Sequence, residues 1–281
     1  MSAVVDDVAV TVAASSTWRC LPRNSLHDVG GMASDTGPSP SRRRPPGLVI
    51  IEICVAALIF VAIVGYVAFR VRQHQQALLI RPTGIPASVS TRVADLMQLS
   101  PVPAIGAPGF TLTDQAGRTV SLAGFRGRVV VLEFMDSHCT DICPIVSQEF
   151  IAAYRDLGRL APRVVFVAVN VNRYHLRVAD VAAFSSEQRL TTIPSWHFVT
   201  GPYASLHAVW RAYNVEVDAP GPNADVLHSS DMYFIDRQGR ERYLASPMVD
   251  HTSAGSSYLP AGQITAWGQG IAQVARQLAS R

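Results

Sequence analysis

Two thiols and a distant imidazole are the residues of this chain best suited to chemistry. Cys139 and Cys143 lie four apart in Cys139-Thr140-Asp141-Ile142-Cys143-Pro144, and His228 sits in Val226-Leu227-His228-Ser229-Ser230. As thiolates, the two cysteines can bind a soft metal or attack a disulfide. Two sulfurs and one imidazole suit Cu(I), and imidazole also accommodates Cu(II). Zinc is a chemical rival, because two cysteines, one histidine and an open position also make a zinc arrangement. Disulfide exchange is the other use of the pair, with Cys139 attacking and Cys143 resolving.

Spacing alone leaves that choice open. Residues four apart on a helix have Cβ atoms about 5–6 Å apart. A disulfide wants about 3.5–4.5 Å, which is reached if the first cysteine sits in the loop before the helix. Two sulfurs on one metal need a comparable convergence.

The elements around these residues set their positions. Val129-Val130-Val131-Leu132-Glu133-Phe134 is an apolar run fit for a central strand, and it ends just before the thiols. Residues 147–160 carry Phe150, Ile151, Tyr154 and Leu157 at helical spacing. The thiol pair therefore falls at a strand-to-helix junction, where main-chain N–H groups and the positive end of the helix dipole favour thiolate. Pro144 fits the first helical turn, where its missing N–H has no partner to lose.

Further along, residues 164–169 read as a second buried strand, and residues 178–188 and 203–213 as amphipathic helices flanking a short strand at 196–199. Residues 232–235 and 241–244, joined across Asp236-Arg237-Gln238-Gly239, read as a hairpin, and residues 261–279 as a closing helix. Upstream, residues 110–113 and 119–122 flank a turn and read as another hairpin. This order predicts an α/β, thioredoxin-like three-layer sandwich. In redox-active domains of that kind, the loop before the late strand usually carries a cis-proline packed on the thiols. Here the loop reads Leu227-His228-Ser229-Ser230-Asp231, and an imidazole takes that neighbourhood.

Ahead of the sandwich, residues 48–70 are almost wholly apolar, with Glu52 near the start. The length meets the roughly 20 residues needed to cross a bilayer as a helix, so we read a single transmembrane anchor. Arg42, Arg43 and Arg44 precede it, while Arg70, Arg72 and Arg81 follow it. The clustered arginines favour an N-inside topology with the C-terminal domain extracytoplasmic. Residues 1–47 read as a disordered tail rich in Pro, Ser and Gly, in which either Met1 or Met32 is the start. Residues 71–100 read as a spacer and neck, and residues 101–281 as the globular domain. Cys20 in the tail and Cys54 in the anchor read as spectators.

Other residues are weaker candidates. His138 adjoins Cys139 and is expected to point away from the pair. Asp136 and Asp141 are placed to tune the thiols electrostatically. His197 reads as packing and His207 as a helix-face residue. Asp250-His251 lacks the serine motif of a hydrolase. No phosphate loop or dinucleotide fingerprint occurs, and a net charge of +3 carried without a single lysine gives no basis for nucleic-acid binding.

The segments CTDICP and LHSSDMYFIDRQGR resemble the Sco/SenC family of membrane-anchored, thioredoxin-like copper proteins. The resemblance covers about residues 101–245, and Gly106-Ala107-Pro108-Gly109-Phe110 is similar to the family's domain opening. It implies that Cys139, Cys143 and His228 take the positions of the family's copper ligands. It also implies delivery of copper to the copper-receiving subunit of a cytochrome oxidase, at its dinuclear copper site. Many members carry Asp-Pro-x-Arg-Asp after the second core strand. Here the stretch is Val169-Asn170-Val171-Asn172-Arg173-Tyr174-His175, which leaves that segment's role open. A thiol–disulfide oxidoreductase is the second reading, and an adhesion or scaffold domain with a fortuitous thiol pair the third.

Overall fold

A computed structural model describes residues 46–77, 83–224, 226–253 and 255–280. The tail reading for residues 1–45, the choice of start, Cys20, the Arg42–44 cluster and Arg81 lie outside the described residues. The chain divides into two units, Met1–Gln73 and His74–Arg281.

In the first unit lies most of helix α1, Pro46–Ala77. Within it, Cys54–Arg72 is long and apolar enough to cross a membrane, and its side chains are unburied. Val55, Leu58, Ile59, Phe60, Val61 and Ile63 are all exposed, so the apolar surface is not confined to one stripe. A helix apolar all round suits an apolar environment such as a bilayer.

The second unit begins with helix α2 (Thr91–Leu96) and the two-residue strand β1 (Ser100–Pro101). The hairpin β2–β3 (Thr111–Thr113, Thr119–Ser121) leads to strand β4 (Val129–Met135) and helix α3 (Ile142–Leu157). Strand β5 (Val164–Asn170), helix α4 (Val178–Glu187), strand β6 (Trp196–Val199) and helix α5 (Tyr203–Ala212) follow. Short strands β7 (Val217–Asp218) and β8 (Leu227–His228) precede the hairpin β9–β10 (Met232–Ile235, Glu241–Ala245). A small ribbon, β11–β12 (Asp250–His251, Ser257–Tyr258), leads to helix α6 (Ala261–Ala279).

Six strands form one sheet in the order β1-β10-β9-β4-β5-β6. β4, β5 and β6 run parallel, whereas β9 is antiparallel to β4 and β10 antiparallel to β9. Every residue of β4 and β5 is buried, as expected for strands covered on both faces. Their valine-rich composition suits the pleat. Side chains alternate, so Val129, Val131, Met135, Phe166 and Trp196 join the core under α2, α3, α4 and α6. Val130, Leu132, Phe134, Val165 and Val167 join a second core under α5 and the β2–β3 hairpin. Helix, sheet, and helix with hairpin make the three layers expected from the sequence.

The stretch read as spacer and neck supplies core residues. Ile85, Val89, Val93 and Met97 are buried with α6. Ile85 and Val89 lie in the non-helical stretch before α2, while Val93 lies within it and Met97 caps its C-terminal end. Gly270 of α6 makes room for them, because a Cβ there would lie 2.4 Å from the Met97 sulfur. Gly268 likewise lets α6 approach α3, since its Cβ would meet that of Ala152 at 2.4 Å.

Candidate metal centre

Strand β4 delivers its chain directly into the thiol loop. Asp136 Oδ1 accepts the His138 N–H at 2.8 Å, and the Asp136 carbonyl accepts the Cys139 N–H at 3.3 Å. These bonds turn the backbone so that α3 starts at Ile142. The first N–H groups of a helix have no partner inside it. One of them, the Cys143 N–H, donates to Cys139 Sγ at 3.3 Å. The pair thus meets with Cys139 in the loop and Cys143 in the first helical turn.

Both cysteines are free thiols, and their environments differ. Cys139 is half-buried, while Cys143 is 2% exposed. The hydrogen bond from the Cys143 side chain holds the Cys139 thiol below the usual range, aided by the main-chain N–H groups of Cys143 and Asp141 and opposed by burial. Donating that bond pushes the Cys143 thiol well up, and burial and the charge on Cys139 add to the effect. The proton leaves Cys139 first.

His228 approaches from the neighbouring strand. The register pairs Val130 with Ile235 and Leu132 with Tyr233, so the C-terminal end of β4 lies beside the N-terminal end of β9. The loop holding Cys139 and the loop holding His228 therefore share one end of the sheet. His228 also pairs with Val217 in the β7–β8 ribbon. Its Nδ1 lies 3.0 Å from the Ser229 carbonyl oxygen. A carbonyl only accepts, so Nδ1 carries the proton and Nε2 keeps a lone pair for a metal. Burial holds the imidazole below its ordinary range, against the Ser229 bond and the Asp136 charge. The neutral ring is the ligating form.

Asp136 acts on both thiols and on His228 electrostatically, while its own Oδ2 is buried without a hydrogen-bond partner. Among the described residues, the two sulfurs and the imidazole nitrogen share this sheet end without closing to within 4.8 Å of one another. Asp141, the residue before α3, makes no side-chain cap.

Several residues went unrecognised in the sequence. Asn172 donates to Asp136 Oδ1 at 2.8 Å, both groups being buried, and so ties the stretch after β5 to the thiol loop. Its only sequence signal is its place in the stretch that departs from Asp-Pro-x-Arg-Asp. Glu133 is fully buried on the α3 face of the sheet, opposite Glu149 of α3. Burial raises the Glu133 carboxyl to about 8, and burial together with the Glu133 charge raises Glu149 well above the carboxylate range. A lone Glu inside an apolar strand was the available clue. Three further histidines lie elsewhere: His197 bonds Asp114 at 3.0 Å, His207 stacks on Tyr203, and His251 is exposed on β11 beside Asp250.

A parallel β4-β5-β6 core with an antiparallel β9–β10 edge, and a two-thiol loop at the start of α3, define a thioredoxin-like domain. The solved structure of a SCO1/SenC family lipoprotein from Bacillus anthracis superposes with a TM-score of 0.50 at 22% identity, covering 64% of this chain and 98% of that one. The copper-bound structure of ScoI from Bradyrhizobium japonicum gives 0.48 at 23% identity, covering 62% and 99%. The mitochondrial SCO2 homologue of Bos taurus is 29% identical over 144 residues, 48% of this chain and 52% of that protein. The chain spans about half the length of the first curated relatives it matches. Residues 100–254 match the SCO1/SenC family model, more than half of the chain, and the protein belongs to that family.

Proposed function

We propose that the protein is a membrane-tethered copper chaperone. Copper, as cargo, would be held by the Cys139 and Cys143 thiolates, with His228 Nε2 completing the set. The observation that carries this reading is the thiol pair itself, with the Cys143 N–H donating to Cys139 Sγ at a strand-to-helix junction inside the family-matched residues. The donor chemistry fits the ion, because two soft sulfurs and a neutral imidazole match Cu(I) and the imidazole also serves Cu(II). Family membership and copper-bound relatives support the same choice.

Release would proceed by ligand exchange to the thiols of a copper-receiving subunit of cytochrome oxidase. The half-exposed Cys139 is the sulfur an incoming ligand reaches first. Residues 48–70 would hold donor and acceptor at one membrane, with the C-terminal domain extracytoplasmic.

A Cu(I) titration of the reduced full chain in detergent, against a competing chelator, tests this. One tightly held copper per chain is expected, lost in Cys139→Ser/Cys143→Ser and weakened at least about tenfold in His228→Ala. Wild type that binds copper no better than the double serine variant defeats the reading. The unequal thiols favour one alternative, disulfide exchange on an exported partner. There Cys139 thiolate attacks a disulfide sulfur and the partner's other sulfur leaves as thiolate. Cys143, deprotonated, then attacks Cys139 Sγ, forming the Cys139–Cys143 disulfide and releasing the partner's first sulfur as thiolate, so that the partner is reduced. His228→Ala altering exchange while leaving copper binding intact selects it.

A further inference from the structure

We propose that His138, His175 and Asp180 form a second metal site, separate from the two thiols, for a divalent transition ion that prefers imidazole. One donor atom from each of the three lies within 4.8 Å of the others. The two imidazoles stack face to face, with ring centres 3.5 Å apart and planes 23° from parallel. Ring lone pairs lie in the ring planes, so the exposed His138 ring turns about its side-chain bonds to share an ion with His175. His138 is exposed, His175 half-buried and Asp180 only 7% exposed, so an ion arriving from solvent meets a ring first and a buried carboxylate beneath it.

Each donor has the electron pair it needs. His175 Nε2 lies 2.9 Å from the Pro222 carbonyl, so it carries the proton and leaves Nδ1 free to ligate. His138 Nδ1 lies 3.3 Å from the Ser137 hydroxyl, and in the tautomer in which Nδ1 donates to that oxygen Nε2 keeps the lone pair for a metal. Asp180 Oδ2 accepts the Arg177 N–H and Nε, and Oδ1 accepts only Arg177 Nη2 at 2.7 Å. Because the Arg177 side chain is 78% exposed, its displacement costs little. Two neutral imidazoles and one carboxylate are a nitrogen-rich set suited to Cu(II) or Zn(II), harder than the sulfur pair.

A shared buried scaffold poses the rings. Asp136 Oδ1 holds the His138 N–H, while Asn172 Oδ1 holds the N–H groups of Tyr174 and His175 at 2.9 and 3.2 Å. Asn172 and Asp136 are themselves hydrogen-bonded at 2.8 Å, and Asn170 Nδ2 donates to the His175 carbonyl at 2.7 Å. Both histidine-bearing loops are thereby fixed to one another before any ion arrives. Outer contacts of this kind typically change metal affinity about 10–100-fold.

The site is independent of the copper chaperone reading, and the test separates them. In the full chain carrying Cys139→Ser/Cys143→Ser/His228→Ala, one Cu(II) should bind with an electron paramagnetic resonance spectrum split by imidazole nitrogen. Adding His175→Ala should weaken it at least tenfold, and His138→Ala/His175→Ala should abolish it. In the otherwise wild-type chain, equilibrium dialysis against Zn(II) should lose one ion per chain on His138→Ala/His175→Ala. This second measurement holds even if the multiple variant does not fold. An unchanged zinc count in it, or an unchanged nitrogen-split spectrum in the first experiment, overturns the proposal. Failure of the thiol site alone would lower both zinc counts equally and leave the difference of one.

Discussion

The two faces of the central sheet are built from the same strands yet differ in one respect. Toward α5, β4 presents Val130, Leu132 and Phe134, all apolar and all buried. Toward α3 it presents Val131, then Glu133, then Met135, and Glu149 of α3 is buried over the same face. Glu133 Oε2 and both Glu149 carboxyl oxygens lack a hydrogen-bond partner. Ser230, two residues from His228, reaches Glu133 Oε1 at 3.4 Å. The face that carries the thiol helix is therefore the one that tolerates buried carboxyl oxygens without partners, at a cost in stability that the other side, where the buried Asp114 is paired with Arg118 and His197, avoids.

Moving the carboxyl breaks this comparison most forcefully. Leu132→Glu puts an unpartnered acid on the α5 face and should cost about 5 kcal/mol or more, enough to unfold much of the protein in a denaturant titration. A loss under about 1 kcal/mol would mean that the faces are equivalent.

Glu133→Gln comes next. The folded carboxyl is raised to about 8 from 4.5, so the unfolded chain gives up this proton first. Stability fully present below about pH 4.5 is lost as pH climbs toward 8. The variant should match wild type near pH 4 and exceed it on the order of 4 kcal/mol at pH 8.5. Parallel denaturation curves at all pH values would remove Glu133 as the source. Ser230→Ala should cost least, about 0.5–1 kcal/mol, because its bond to Glu133 is long.

Much of this was legible in the residues. The runs 129–134 and 164–169 became β4 and β5 because only strands covered on both faces hold so many consecutive valines. The strand–helix order was sufficient for the thioredoxin-like sandwich. What stayed hidden depends on tertiary pairing. The four-residue recurrence of Ile85, Val89, Val93 and Met97 was visible, but its partner Gly270 is remote in the chain, so the stretch read as a neck. The Asp136–Asn172 bond joins the ends of two parallel strands, a contact no local pattern encodes. His138 read as pointing away from Cys139, and what it points toward, His175, lies in a stretch noticed only for departing from a family motif.

The docking of α2 and β1 carries a kinetic consequence. Ser100 pairs with Leu244, and Met97 rests on Gly270. These contacts close loops of well over a hundred residues, while β2–β3 and β9–β10 close loops of a few. Closing a long loop pays its chain entropy before any contact rewards it, which slows the step. The α2–β1 edge of the domain should be the last part to acquire hydrogen-exchange protection during refolding. The α5 face, assembled from nearer neighbours, should be protected earlier.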